Sequence, residues 1–289
     1  MLIQWYPGHM TKARRMLEDV IKQIDLVVEV RDARVPYSSF NPDIESILKR
    51  RMRIVLLNKA DLADPETTRL WKASLEKQGC VVIPYTATQK GGGKPILNRI
   101  QSMMQGKVDA MKQKGVSKTV RVLVAGIPNV GKSTLINQLS GGGKTKTANK
   151  PGVTRGKQWI RVTPYLELLD TPGLLWPKFE DPVVGLHLAM IGSIRDEVTD
   201  PYALSLELLD LLKKHEAPLL CARYKLENED VSLESDALME KICKKRGFML
   251  SGGRLDVDRG VAMLLDEFRD GKIGRISLER PEIPVQEEA

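Results

Sequence analysis

Two nucleotide-binding motifs stand in this chain in an inverted order. Asn58-Lys59-Ala60-Asp61, a pattern suited to reading guanine, comes before Gly126-Ile127-Pro128-Asn129-Val130-Gly131-Lys132-Ser133, a pattern suited to holding phosphate. In most chains that carry both patterns, the phosphate loop comes first. The pair of motifs indicates a guanine nucleotide as the ligand. Their inverted order requires the phosphate-binding half to run almost directly into whatever follows it.

The second motif reads G-x-x-x-x-G-K-S and lies between an apolar run at 120–125 and a helical pattern at 132–139. In such a loop, backbone N–H groups and the start of the helix surround phosphate oxygens, while the lysine supplies a positive charge. A chance glycine turn is the alternative, but strand, loop and helix all occur where this chemistry requires them. The residues expected to contact the nucleotide here are Asn129, Val130, Gly131, Lys132, Ser133 and Thr134, with Ser133 also binding Mg²⁺.

Guanine recognition is predicted at the first motif, which follows a buried strand. The Asp61 carboxylate can accept hydrogen bonds from the N1–H and the exocyclic amine of guanine, a donor pair that adenine lacks. Asn58 would brace the loop, and the stem of Lys59 would cover the base. Thr86 and Ala87, just after the next strand, are in the right place for a loop that backs the base. A chance N-K-x-D is the alternative, and its place after a buried strand argues against it.

Asp170-Thr171-Pro172-Gly173 directly follows another apolar strand pattern at 166–169. We expect Asp170 to hold Mg²⁺ through water and the Gly173 N–H to meet the γ-phosphate. Asp-x-x-Gly alone is a common pattern. Its distance from Lys132 leaves room for one helix, a loop and two strands, and this placement favours the nucleotide site.

Strands alternate with helices through the first part of the chain, a pattern that predicts an α/β fold with a doubly wound parallel sheet. Helical patterns without further strands follow Pro177. We therefore place a sheet domain with the phosphate loop at 1–177 and an all-α domain with a short acidic tail at 178–289. A stretch at 141–154, rich in Gly, Lys and Thr, has no apolar periodicity and predicts a mobile loop.

The positive charge of the chain is clustered. Lys and Arg number 45 against 37 Asp and Glu, which gives a formal charge of +8. Acid-free basic runs at 1–17 and 141–161 favour an RNA partner over the alternative of a solvated surface. Further candidate RNA contacts are Arg223, Tyr224, Lys244, Lys245 and Arg246.

The sequence also indicates where the protein works. Cys80, Cys221 and Cys243 are widely separated and lack metal-ligand spacing, which fits a reducing compartment. The amino terminus lacks the basic start and apolar run of a secretion signal, and no apolar stretch is long enough to cross a membrane. We therefore expect a cytoplasmic protein with no membrane partner.

The order of the motifs resembles that of circularly permuted GTPases: N-K-x-D, T-A, G-x-P-N-V-G-K-S, P-G-V-T and then D-T-P-G. Together with Pro7-Gly8-His9-Met10 and Asp32-Ala33-Arg34-Val35-Pro36, the chain is similar to the bacterial ribosome biogenesis GTPase A family, also called YlqF. The resemblance covers residues 5–175. The helical remainder is similar only in length and general pattern.

This resemblance implies a circularly permuted P-loop GTPase sheet followed by a helical domain that binds RNA or the ribosome. It implies Mg²⁺-dependent hydrolysis of GTP to GDP and binding to the immature large ribosomal subunit, through rRNA and ribosomal proteins, late in assembly. Thr154 is expected to complete the Mg²⁺ shell when a γ-phosphate is present, with Thr145 and Thr147 as alternatives. We expect the free protein to be a monomer.

The catalytic group is less evident from the sequence. Leu174 occupies the position after Asp-x-x-Gly where Ras-like enzymes place a water-orienting Gln, so hydrolysis is expected to be slow until a partner completes the site. His9 is the candidate, because a neutral imidazole can position water or accept its proton. It could instead contact RNA or pack structurally.

Asn129 suggests a second contribution to catalysis. GTPases with Asn at this position resemble the K⁺-activated class, in which the amide helps to hold the cation between phosphates. A residue that merely suits the turn geometry is the alternative.

Two other functions compete with a GTPase that matures the large ribosomal subunit. One is a nucleotide-gated binding switch for a protein or membrane partner, in which hydrolysis only resets the state. The other is a metabolic kinase, which also uses a phosphate loop. N-K-x-D and D-T-P-G argue against the kinase.

Overall fold

The computed structural model describes residues 9–48, 51–141, 158–171, 173–176 and 179–281. Six strands in these ranges form one sheet, in the order β3-β2-β1-β4-β6-β5. They are β1 (Leu26–Asp32), β2 (Met52–Asn58), β3 (Val81–Pro84), β4 (Val120–Ala125), β5 (Gln158–Thr163) and β6 (Leu166–Asp170).

The first five strands in this order run parallel to one another, as the alternation of strands and helices predicts. The edge strand β5 departs from the parallel arrangement and is antiparallel to β6. Only Pro164 and Tyr165 separate these two strands. Such a short connection can join antiparallel strands but not parallel ones, which need a long crossover.

Helices connect the strands and then continue alone. Helix α1 (His9–Val20) precedes β1, and between the strands lie α2 (Pro42–Leu48), α3 (Pro65–Lys77), α4 (Gly93–Gln113) and α5 (Lys132–Leu139). After β6 come α6 (Pro182–Met190), α7 (Pro201–His215), α8 (Ala217–Tyr224), α9 (Ser235–Arg246) and α10 (Val257–Arg269), and the described part of this region has no strand beyond one isolated bridge. The predicted α/β sheet with a helical C-terminal region is therefore confirmed.

Both faces of the sheet are buried. Successive side chains of a strand point to opposite faces. In β2, Leu57 belongs to an apolar cluster with Trp71 of α3, whereas Leu56 belongs to a second cluster with Ile96 of α4. Because helices cover both faces, a ligand can reach the sheet only at the ends of its strands, and open α/β sheets bind ligands beyond the carboxyl ends.

The strand order brings the predicted motifs to this carboxyl edge. Strand β2 ends at Asn58, β6 ends at Asp170, and β4 runs directly into Gly126. Strand β1 lies between β2 and β4, and its last residue, Asp32, is in register with Asn58. The two motifs are distant in sequence, yet parallel pairing through β1 places both at one edge.

The segment after α10 returns to the sheet. The Ile276 N–H donates to Leu62 O at 2.9 Å, and the Leu278 N–H donates to Arg34 O at 2.9 Å. The Arg275 guanidinium donates to the carbonyl of Ala63 at 2.9 Å. The helical region is thus tied to the loops at the carboxyl edge, and the domain boundary after residue 177 stays a prediction.

Candidate nucleotide-binding site

The side chain of Asn58 joins three loops at the carboxyl edge. It is buried, and its Nδ2 donates to Val130 O in the phosphate loop at 2.6 Å. Its Oδ1 accepts the backbone N–H of Ala87 at 3.0 Å. Thr86, one residue earlier, is half-buried beside it. The predicted brace therefore fastens the base-reading loop both to the phosphate loop and to the loop that backs the base.

Glycine is required at two points of the phosphate loop. Gly131 has a φ of +97°, and a Cβ atom there would overlap the Asn58 amide. Gly126 has a φ of +153°, and a Cβ atom there would lie 2.5 Å from Val30 O. Both positive φ angles suit glycine. The motif glycines thus allow the loop to lie directly against β1 and the base-reading loop.

Lys59 is held by a buried aspartate that sequence reasoning did not single out as a site residue. Its Nζ lies 3.0 Å from Asp32 Oδ2 at the end of β1. Asp32 is fully buried and also pairs with Arg34, whose Nη2 lies 2.9 Å away. Burial would raise the pKa of Asp32, but the charges of Arg34 and Lys59 outweigh burial and hold it well below its usual value. The available signal was its position at the end of a buried strand adjacent to β2.

The carboxylate predicted to read guanine is accessible. Asp61 is exposed, and it follows Lys59, whose φ of +59° is unusual for a residue other than glycine. The Ala60 N–H donates to Tyr85 O at 3.1 Å, which fixes the turn between them. The loop therefore exposes Asp61 to solvent, while the backbone hydrogen bond of Ala60 fixes the residue just before it.

Lys132 is buried at the start of α5. Its Nζ donates to Ile127 O within the same loop at 2.7 Å. Burial lowers the pKa of Lys132 to about 8, because the charged form is poorly solvated there, and Asp170 offsets only part of this effect. A negatively charged ligand would remove this penalty.

Asp170 is a buried acidic residue whose charged form is also disfavoured. The carboxylate is buried, its Oδ2 accepts the Ser133 hydroxyl at 3.3 Å, and its Oδ1 has no hydrogen-bond partner within the described ranges. Burial raises the pKa of Asp170, and the Lys132 charge counteracts this in part. A carboxylate and a hydroxyl are oxygen ligands of the kind that Mg²⁺ prefers. These two residues therefore fit the predicted cation.

The segment after Asp170 closes against the phosphate loop. A Cβ atom on Gly173 would lie 2.5 Å from the backbone N of Pro128, so only glycine can pack here. The Leu174 N–H donates to Gly126 O at 3.3 Å, and Asn41 Nδ2 donates to Leu174 O at 2.8 Å. The Leu174 side chain is buried in the apolar core. It therefore brings no polar group to the site.

Asn129 makes a contact that sequence reasoning missed. Its φ is +59°, and its Nδ2 donates at 2.6 Å to the carbonyl of Gly192, in the turn after α6. In that turn Ser193 donates to Pro128 O at 2.8 Å. These hydrogen bonds depend on tertiary packing, and no local sequence pattern predicts them. Val130 follows Asn129 in the loop, and Thr134 lies in the first turn of α5.

Some predicted residues lie outside the described part of the chain. Thr154 and most of the basic run at 141–161 are among them, as is the acidic tail. His9 begins α1, but its side chain is not described.

The candidate RNA contacts of the helical region need one correction. Tyr224 is only 2% exposed, because its ring packs in the core, so it is out of reach of an RNA chain. Arg223 and Arg246 pair with Glu267, and Lys244 and Lys245 pair with Glu240 and Glu227. None of the helices in the described ranges is long and apolar enough to cross a bilayer.

Known proteins match this chain over nearly its whole length. A family described as 50S ribosome-binding GTPase matches residues 121–225, which include the phosphate loop but not Asn58. The ribosome biogenesis GTPase A of Bacillus licheniformis is 45% identical over 283 residues, covering 98% of this chain and 99% of that protein.

Two solved structures of YlqF are also similar. A GDP-bound structure has a TM-score of 0.67 and 28% identity, and covers 93% of this chain and 100% of that one. A GNP-bound structure of YlqF from T. maritima has a TM-score of 0.64 and 30% identity, with coverages of 94% and 99%.

Proposed function

Because this chain belongs to the ribosome biogenesis GTPase A family and is a GTPase, we propose that it hydrolyses GTP to promote late maturation of the large ribosomal subunit. Its partner in this proposal is the immature subunit, bound through rRNA and ribosomal proteins. The relatives' names and the basic runs of the sequence support this partner. They favour it over a membrane or an unrelated protein.

Two buried charges support the proposed nucleotide site. Lys132 and Asp170 are both buried where their charged forms are disfavoured, and one Asp170 oxygen lacks a hydrogen bond in the described part of the chain. The phosphates of GTP would supply an anion for Lys132, and Mg²⁺ would supply a cation for Asp170. A magnesium nucleotide would therefore balance both charges together.

Each candidate residue has a defined role in this proposal. The phosphates would be bound by residues 129–134 and by the Gly173 N–H. Ser133 and Asp170, together with Thr154, would hold Mg²⁺, which would neutralise charge on the phosphates. Asp61 reads the guanine edge, while Asn58, Lys59, Thr86 and Ala87 shape its pocket.

Hydrolysis requires a group that orients water. The buried side chain of Leu174 supplies none, so we assign this role to His9 or to a group of the bound subunit. Asn129 Nδ2 donates to Gly192 O, which leaves Oδ1 as the atom of this amide that would serve K⁺. Equal hydrolysis in K⁺ and Na⁺ buffers would exclude this cation role.

The nucleotide assignment is tested by base specificity. Wild-type protein should bind GDP and a GTP analogue, and ADP should bind at least about 100-fold more weakly because it lacks the donor pair for Asp61. Asp61→Asn should lose affinity for GDP and gain affinity for xanthosine diphosphate, because the new amide can donate to the xanthine C2 carbonyl. Unchanged selectivity in this variant would contradict the role of Asp61.

The partner is tested by GTP turnover with and without ribosomal subunits. Immature large subunits should stimulate hydrolysis and co-sediment with the protein, and the association should weaken steeply with salt if rRNA phosphates are contacted. Small subunits are the control. If His9 orients the water, His9→Ala should abolish the stimulated rate while leaving GDP affinity intact; a retained rate would assign this role to the bound subunit. Equal turnover with every subunit would argue for a different partner.

A further inference from the structure

The turn after α6, in the helical region, forms two hydrogen bonds with the phosphate loop. Ser193 is fully buried, and its hydroxyl donates to Pro128 O at 2.8 Å. One residue earlier, the Gly192 carbonyl accepts the Asn129 amide at 2.6 Å. Two consecutive residues of this turn therefore hold two consecutive residues of the phosphate loop.

The Ser193 bond fixes the direction of a backbone donor. The C=O and N–H groups of a planar trans peptide point in opposite directions, and no peptide bond described here is cis. Anchoring Pro128 O on Ser193 therefore also orients the N–H of Asn129. Phosphate loops bind their ligand through such backbone N–H groups, so this contact bears directly on phosphate affinity.

Arg269, the last residue of α10, shapes the turn. Its Nε donates to Met190 O at 3.1 Å, and its Nη2 donates to Ala189 O at 3.0 Å. The guanidinium also pairs with Asp196 at 2.7 Å. One arginine thus binds the end of α6 on one side of Ser193 and Asp196 on the other.

The same residue reaches the base-reading end of the site. The Arg269 carbonyl accepts Arg34 Nη1 at 3.1 Å. Arg34 pairs with Asp32, which pairs with Lys59. The side chain of Arg269 therefore supports the phosphate end of the site, and its backbone carbonyl supports the base-reading end.

From this geometry we propose that Ser193 and Arg269 are positioning residues for the phosphate loop, through which the helical region sets the affinity for guanine nucleotides. The proposal rests on the nucleotide site assigned above. By linkage, any partner that moves α10 changes nucleotide affinity, and the nucleotide changes the affinity for that partner by the same factor.

Ser193→Ala tests the contact against a matched control. Ser205 in α7 is also fully buried and donates to a backbone carbonyl, that of Tyr202, at 2.7 Å. Ser193→Ala should accelerate the release of labelled GDP and weaken its binding by about threefold to tenfold, the range of one hydrogen bond. Ser205→Ala should lower thermal stability similarly and leave GDP release unchanged.

Arg269→Gln supplies an independent variant if Ser193→Ala fails to fold. It should also accelerate GDP release, and its effect should combine with that of Ser193→Ala less than additively, because both act through one turn. The control is Arg259→Gln, which removes another guanidinium of α10, the one over the Phe248 ring, and should leave GDP release unchanged.

The possible failures can be told apart. If GDP release by Ser193→Ala and Arg269→Gln matches that of wild type, the positioning role is wrong while the nucleotide site stands. If Lys132→Met binds GDP as tightly as wild type does, the proposed nucleotide site itself is wrong.

Discussion

The base-reading end and the phosphate-binding end of the candidate site differ in how their charges are balanced. At the base end, buried Asp32 pairs with both Arg34 and Lys59. At the phosphate end, Lys132 donates to a backbone carbonyl, and one oxygen of buried Asp170 has no hydrogen bond within the described ranges. The buried charges at the base-reading end are therefore paired without a ligand, whereas those at the phosphate-binding end are not.

This difference separates a preformed end from one that its ligand completes. Removing one partner from a buried ion pair is costly, because the remaining charges stay buried. A buried charge that lacks its partner already carries that cost, and neutralising it by mutation relieves the cost. Mutations should therefore affect stability mainly at the base end and ligand binding mainly at the phosphate end.

Asp32→Asn should have the largest effect on stability. It leaves Arg34 and Lys59 buried without a carboxylate and should lower the free energy of unfolding by about 3–5 kcal/mol in denaturant titrations. Glu66→Gln is the control, because Glu66 and its partner Arg69 are both exposed. It should leave the free energy of unfolding almost unchanged. Equal costs would remove the distinction drawn for the base end.

Lys132→Met should mainly affect binding. It removes a charge that burial already disfavours, so the unfolding free energy without nucleotide should change by less than about 1 kcal/mol. Affinity for GDP should fall at least about 100-fold, because a charge-assisted contact to phosphate is lost. Calorimetric titration measures the affinity, with exposed Lys94 changed to Met as the control. A loss of stability like that of Asp32→Asn would contradict the contrast.

Acid should reveal the base end. The pKa of Asp32 is depressed in the folded state, so the unfolded state binds its proton first as pH falls below the ordinary value of 3.8. The stabilisation by Asp32 is therefore present above that pH and declines by about 1.4 kcal/mol per pH unit below it. In urea titrations from pH 5 to pH 3, Asp32→Asn should lose less stability than wild type. Parallel pH profiles would contradict this assignment.

Asp170→Asn should have the smallest effect on stability. Burial raises the pKa of Asp170, so a neutral amide suits this position, and the nucleotide-free protein should change by less than about 1 kcal/mol. Wild-type affinity for GDP should fall when EDTA removes Mg²⁺, whereas the affinity of the variant should be low and insensitive to EDTA. A variant that keeps the full Mg²⁺ effect would show that Asp170 does not hold the cation.

The sequence predicts the elements that local patterns specify. The predicted bounds of β4 and α5 agree with the structure, because a mostly apolar run, a glycine loop and a helical pattern follow one another there. The roles of Asp32 and Ser193 could not be predicted in this way. Their partners are distant in sequence, and hydrophobic periodicity contains no information about which buried side chains meet.

The error at Tyr224 has a related cause. A tyrosine beside arginines is typical of RNA-binding surfaces, but here Arg246 lies over the tyrosine ring at 5.2 Å, within the protein. The same residue types suit both arrangements, and only the packing of α8 against α9 and α10 distinguishes them.

The return of the chain to its first strands has a consequence for biosynthesis. Glu279 accepts the backbone N–H groups of Tyr37 and Ser38, and its carbonyl accepts the indole N–H of Trp71. While the ribosome is still making the helical region, these donors lack that partner. The base-reading loop is thus synthesised early, but the contacts of Glu279 with the segments on either side of it form late. A nascent chain should therefore acquire its full nucleotide affinity only after residues 275–279 have left the exit tunnel.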